Sequence, residues 1–137
     1  MSERDGAWLL NEMTACEVIS LEGGYDNFCR ALQLSSVGDI LEERGPYTVL
    51  APPDDFFNAS TLGLMISSIK LDGILRSFIV PGKYPLESIR RLHLLRAANG
   101  SLITVSCGDA VEVNGARIAK PDVPYNKGII HFTRIIE

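Results

Sequence analysis

The sequence is poor in the residues that build disulfide frameworks, metal centres and catalytic dyads. Its 137 residues include three cysteines and two histidines. Cys16, Cys29 and Cys107 form an odd set without the close pairing of a zinc or redox motif, so no disulfide framework is expected. Cys29 beside Phe28, and Cys107 at the end of the apolar run Leu102–Val105, read as small buried residues rather than reactive thiols. Neither His93 nor His131 has a cysteine, carboxylate or second histidine at ligand spacing. His131 alternates with Ile130 and Phe132 on an expected strand, which favours a hydrogen-bonded structural role. No G-x-S-x-G elbow, phosphate loop, H-E-x-x-H or G-x-G-x-x-G occurs. The adjacent carboxylates Asp54-Asp55 and Glu42-Glu43 do not share a helix face, so capping and solvation account for them. With no nucleophile–base pairing, the expectation is no enzyme, no metal and no cofactor.

Long apolar runs are also missing. Nothing approaches the roughly 20 residues of a membrane-spanning helix, and Met1–Trp8 lacks an apolar export segment. Positive charge is not in excess: 13 basic against 17 acidic residues give a net charge of −4, which argues against nucleic-acid binding through phosphate contacts. The charge is unevenly spread. Residues 1–60 hold eleven acids and three bases, and residues 61–137 hold six acids and ten bases. This asymmetry serves either intramolecular complementarity or a polarised surface that steers a partner. A hydrophobic fraction of 46% suffices for a buried core, and the length predicts a single domain over 1–137.

The chain reads helices first and strands later. Apolar spacing predicts short helices around Trp8–Met13 and Val18–Leu21, the latter ending at Gly23-Gly24. A helix capped by Asp26 follows, burying Phe28, Ala31 and Leu32; the next, capped by Ser35 or Ser36, carries Val37, Ile40 and Leu41. Tyr47–Ala51 reads as a buried strand stopped by Pro52-Pro53. Asp54 or Asp55 is expected to cap a helical turn that buries Phe56 and Phe57. Leu71, Ile74, Leu75, Phe78 and Ile79 have helical spacing, and a short helix is expected around Leu86–Arg91. Asn99-Gly100 and Asn114-Gly115 mark hairpin turns among strands near Leu94–Ala98, Leu102–Cys107, Ala110–Val113, Ala116–Ala119 and Ile129–Ile135. Segregated helices and antiparallel strands predict an α+β domain.

Four boxes stand in register: Thr48-Val49-Leu50-Ala51-Pro52-Pro53-Asp54-Asp55-Phe56-Phe57, Phe78-Ile79-Val80-Pro81-Gly82-Lys83, Val113-Asn114-Gly115-Ala116 and Gly128-Ile129-Ile130-His131-Phe132. Together they resemble a fasciclin-like domain over about Glu17–Ile136, leaving 1–16 as an N-terminal helical extension. The resemblance implies two antiparallel sheets packed as a wedge or sandwich, with helices mostly from the N-terminal half around one side. It makes Thr48, Val49, Ala51, Pro52, Asp54, Phe57, Gly128 and His131 structural box residues. It implies an adhesion module that needs no cofactor, and a secreted or surface location. The signal-free start would instead suit a cytoplasmic chain if it is complete.

Where the family often has Tyr-His, this chain has Ser77-Phe78, replacing a polar contact with an apolar ring. Where it usually has Ala-Pro-Thr, this chain has Ala51-Pro52-Pro53, with Asp54 as the expected substitute cap. In some animal members a Glu-Pro-Asp-Ile-Met segment takes part in integrin recognition; Lys120-Pro121-Asp122-Val123-Pro124 is similar to it here. Pro121, Asp122 and Val123 are therefore candidate partner-binding residues on a stiff loop, Asp122 offering a carboxylate to a receptor-bound metal or a basic pocket. The other reading is that Pro121-Asp122 only shapes the turn into the last strand. A second candidate surface is basic: Arg90, Arg91 and Arg96, with His93, lie within seven residues near a single acid, Glu87. The expected function is binding of a protein, glycan or matrix partner through surface loops. The alternative is a small-molecule or lipid site in an apolar pocket lined by Phe56, Phe57 and Phe78.

Overall fold

A computed structural model of the chain describes residues 10–58 and 68–135. The expected helix around Trp8–Met13 falls partly outside them, and its described part is a 3₁₀ turn, Leu10–Glu12. Helix α1 (Ala15–Glu22) starts at a capping box that the sequence contains as Thr14-x-x-Glu17. The Thr14 hydroxyl accepts from the Glu17 N–H at 3.1 Å, and the Glu17 carboxylate accepts from the Thr14 N–H at 2.9 Å. Helices α2 (Asp26–Leu34) and α3 (Val37–Glu43) complete an N-terminal helical layer. Strand β1 (Tyr47–Ala51), helix α4 (Ser68–Arg76), strand β2 (Ile79–Pro81) and helix α5 (Leu86–Ile89) follow. The rest is strand: β3 (Leu94–Arg96), β4 (Leu102–Cys107), β5 (Val111–Val113), β6 (Ala116–Tyr125) and β7 (Gly128–Ile135).

The expected pair of packed sheets is corrected here to one seven-stranded sheet, ordered β2-β1-β7-β6-β5-β4-β3. Its pairs are antiparallel except β1–β7, which is parallel with Leu50 opposite His131. The ends of the sheet approach one another, and the Ala98 N–H donates to the Ile79 carbonyl at 2.7 Å, so it is nearly closed. Strand β6 makes this possible. It runs through Tyr125 instead of stopping near Ala119, because register shifts around Lys120 absorb Pro121 and Asp122 as bulges.

Parity then sorts the residues into two apolar clusters. Val49, Ala51, Ile130 and Phe132 face the helices and pack on Ile19, Phe28, Leu32, Leu41 and Phe57. Leu50, Val80, Leu95, Ile103, Val105, Val113 and Ile118 fill the inside of the curved sheet. The β1–β7 contact demands glycine at 128: a Cβ there would collide with the Tyr47 carbonyl oxygen. At the β5–β6 hairpin, Asn114 and Gly115 have φ of 50° and 84°, the pair of positive angles a two-residue turn needs. Asn99-Gly100 instead sits in a longer connection, with the Ala97 N–H donating to the Ser101 carbonyl across it.

Candidate functional site: a hydrogen-bonded end and an arginine face

Strand parity places Thr48 and His131 on the concave side of the sheet, both fully buried, and each solves a local hydrogen-bonding problem. The Thr48 hydroxyl donates to the Gly82 carbonyl and accepts from the Tyr84 N–H, both at 2.8 Å. His131 Nε2 lies 2.8 Å from the Tyr84 carbonyl, and Nδ1 accepts from the Asp122 N–H at 3.1 Å. These partners require the neutral tautomer with the proton on Nε2. Burial pushes the imidazole below its ordinary value of 6.5, against weaker upward pulls from the Tyr84 carbonyl and the Asp122 carboxylate. Both ring nitrogens are committed to backbone.

Asp122 is exposed and adopts φ 62°. Its Oδ1 accepts from the Leu86 N–H at 2.9 Å, at the start of α5. The stiff loop expected around Pro121, Asp122 and Val123 is thus a bulge within β6, joining β7 and α5 through one residue. Pro121 has no N–H to contribute to the ladder there, and Val123 re-enters it opposite Ile130.

Arg90, Arg91 and Arg96 are all exposed. Arg91 pairs with Glu87 at 3.2 Å, both side chains being 70% exposed or more, so water screens the pair. Arg96 donates to the Gly100 carbonyl at 3.0 Å. The structure sets Arg90 and Arg91 side by side after α5 and keeps Arg96 apart, at the far end of β3. Five residues of extended chain span at most about 17 Å, so Arg96 lies within that distance of Arg91. His93 is exposed in the same stretch.

The remaining box residues hold the fold. Val49 and Ala51 are buried under the helices, and Pro52 is buried just beyond β1. Asp54, expected to cap its own turn, instead caps α2 from outside, its Oδ1 accepting from the Asn27 N–H at 2.9 Å. Asp26, the expected cap, is the first helical residue, and Tyr25 occupies the N-cap. Phe57 enters the core in edge-to-face contact with Phe28 and Phe78, at centroid distances of 5.5 and 5.9 Å. Phe56, also expected to be buried, is 43% exposed, because the turn that points Phe57 inward points its neighbour out.

Cys29 is buried as expected, and Cys107 is not. Cys107 is exposed, since it ends β4 where nothing covers it, and its thiol donates to the Arg90 carbonyl at 3.3 Å. Cys16 and Cys29 meet across α1 and α2, each thiol donating to the other residue's carbonyl, at 3.6 and 3.3 Å. Burial, reinforced by Cys29, pushes the Cys16 thiol up to about 12.

Sequence reasoning missed Leu94 and Leu102, which are 50% and 52% exposed beside the arginines. Arg96 and Leu102 are cross-strand partners, as are Leu94 and Thr104. The signal was present: on β3 and β4 these leucines share parity with Arg96 and Thr104, an apolar pair on the polar face.

A nearly closed sheet with helices on its outer face, fastened through Thr48, His131 and Asp122, defines an α+β domain in which the buried polar side chains Thr48, His131 and Thr133 bond to backbone. The Fasciclin domain model matches residues 23–134, and the chain belongs to that family. It is 29% identical over 119 residues to the protein sll1735 of Synechocystis sp., covering 84% of this chain and 90% of that one. It is 30% identical to the transforming growth factor-beta-induced protein ig-h3 of Sus scrofa over 85% of this chain but 18% of that protein. A solved FAS1 domain pair from the insect cell adhesion molecule fasciclin I shares the fold, with a TM-score of 0.65 at 20% identity, covering 85% of this chain and 45% of that one.

Proposed function

We propose that this domain is a non-enzymatic adhesion module, and that Arg90, Arg91 and Arg96, with Leu94 and Leu102, form the face that meets an acidic glycan or protein. The observation that carries this reading is three exposed guanidinium groups on a surface that also exposes two leucines, with one screened carboxylate, Glu87, paired to Arg91. Arginine is enriched in protein interfaces and among their energetic hot spots. Membership of a family that includes a cell adhesion molecule supports it. The commitment of both His131 nitrogens to backbone supports a role without catalysis. Among the described residues, no helix is long and apolar enough to cross a membrane.

Asp122, with Pro121 and Val123, is a second contact in this reading, through the carboxylate beside α5. The test is retention on a sulfated-glycan resin. The parent should elute at higher salt than the folded Arg90→Glu/Arg91→Glu variant, since exposed charges are screened beyond about 8 Å at physiological ionic strength. Equal elution of the two would remove the arginine face from the proposal. Asp122→Ala should leave elution unchanged, while abolishing any capture of a partner that chelation also abolishes.

A further inference from the structure

At the end of the sheet where β1 and β7 finish, the inner cluster opens into a cavity of about 330 Å³. Leu50, Ile103 and Val113, all buried, reach it from inside the sheet, while Phe56, Phe78 and Ile135 line it nearer the outside. Pro52-Pro53, whose φ angles are fixed by their rings, and the Asn114-Gly115 turn also line it. No charged side chain is among the described residues that line it. Three of its polar side-chain atoms are already engaged. The Thr133 hydroxyl donates to the Ala51 carbonyl at 2.9 Å, the Ser77 hydroxyl to the Ile74 carbonyl, and Asn114 Oδ1 accepts from the Thr104 N–H at 2.9 Å.

Two observations bear on what this space could hold. Phe56 and Ile135 stand 43% and 46% exposed at its edge, so the cavity mouth presents two large apolar side chains together. The volume falls at the lower end of the roughly 300–1,000 Å³ of ligand sites, in the mouth of a curved sheet where such sites recur. We propose that the cavity binds a compact, uncharged molecule of one or two rings. An ion would lose hydration with no charged partner to replace it. The edge-to-face rings of Phe56 and Phe78, 6.4 Å apart, offer an aromatic wall. None of Arg90, Arg91, Arg96 and Asp122 lines the cavity, so this site stands or falls independently of the arginine face.

The test uses the full chain and prodan, an uncharged two-ring dye whose emission shifts to the blue in apolar surroundings. Saturable blue-shifted emission at one dye per chain is expected. Ala116→Trp, which places an indole at the mouth, should weaken dye binding at least tenfold, and Arg90→Glu/Arg91→Glu should leave it unchanged. Methyl spectra of the parent provide a readout that needs no variant: the dye should shift Leu50, Ile103 and Val113 and leave Leu94 and Leu102 in place. Absence of saturable emission, undiminished binding by a folded Ala116→Trp, or shifts confined to Leu94 and Leu102 would each overturn the proposal.

Discussion

Around the start of β1 and the middle of β7, polar side chains fasten the sheet to its neighbouring loops: Thr48 holds the Gly82–Tyr84 loop, and His131 holds Tyr84 and Asp122. Where the same two strands finish, it is closed by apolar side chains, and a cavity remains between Leu50 and Phe56. The difference teaches what each kind of closure demands. A buried hydrogen bond has directional partners and tolerates no vacancy, because an orphaned buried donor or acceptor costs about 1–3 kcal/mol. Apolar contact is non-directional and leaves room for another molecule to complete it. The buried polar side chains Thr48 and His131 belong to the first region, and the large exposed apolar residues Phe56 and Ile135 to the second.

Substitutions can break this contrast. The largest effect is expected within the apolar cluster, where Phe57→Ala should lose roughly 3–5 kcal/mol, the usual range for a large buried truncation. Phe56→Ala, one residue away at the cavity edge, should cost under about 1 kcal/mol. Urea denaturation of both reads the difference, and similar losses would mean that Phe56 and Phe57 share one environment.

At the polar end, His131→Leu should cost roughly 2–4 kcal/mol, since it orphans the Tyr84 carbonyl and the Asp122 N–H together. The same side chain gives a pH signature. Its folded-state value is depressed, so the unfolded chain takes up the proton more readily. Its contribution is therefore fully present above the ordinary value of 6.5 and is lost as pH falls below it toward the folded value. The loss has a slope of at most about 1.4 kcal/mol per pH unit. Urea midpoints between pH 8 and 5 should fall more steeply in the parent than in His131→Leu; parallel profiles would show that the imidazole is not held neutral.

The smallest effect is chemical. Cys107 should react first with a thiol reagent under native conditions, while Cys16 and Cys29 stay protected by burial and by a thiolate disfavoured at Cys16. Peptide mapping after brief alkylation identifies the labelled residue, and early labelling of Cys16 would contradict the α1–α2 packing.

Much of this was legible wherever a local signal agreed with the tertiary one. Strands Tyr47–Ala51 and Leu102–Cys107 have the bounds expected of them, because Pro52-Pro53 and alternating burial mark them. Asn114-Gly115 turns as its two residues require. The failures are places where partners distant in sequence decide. The helical spacing through Phe78 and Ile79 is cut at Arg76, because Ile79 pairs with Val49. Two sheets were expected and one formed, because β6 continues through a proline by bulging. The capping role of Asp54 goes to a helix 27 residues upstream, and the meeting of Cys16 with Cys29 depends on how α1 and α2 pack. Asp122 was singled out as a carboxylate. Its backbone N–H, bonded to His131, is equally part of the arrangement, and no motif signals that.

The contrast between the two ends is tested most directly by native-state hydrogen exchange at the Asp122 and Tyr84 amides. Each donates to a side chain, His131 Nδ1 and Thr48 Oγ1, and neither bond belongs to the regular strand ladder. Both amides should be protected to nearly the level of Ile130 in central strand β7, opening only with the whole domain. Exchange at the rate of an unstructured peptide while Ile130 stays protected would contradict a polar end held by Thr48 and His131.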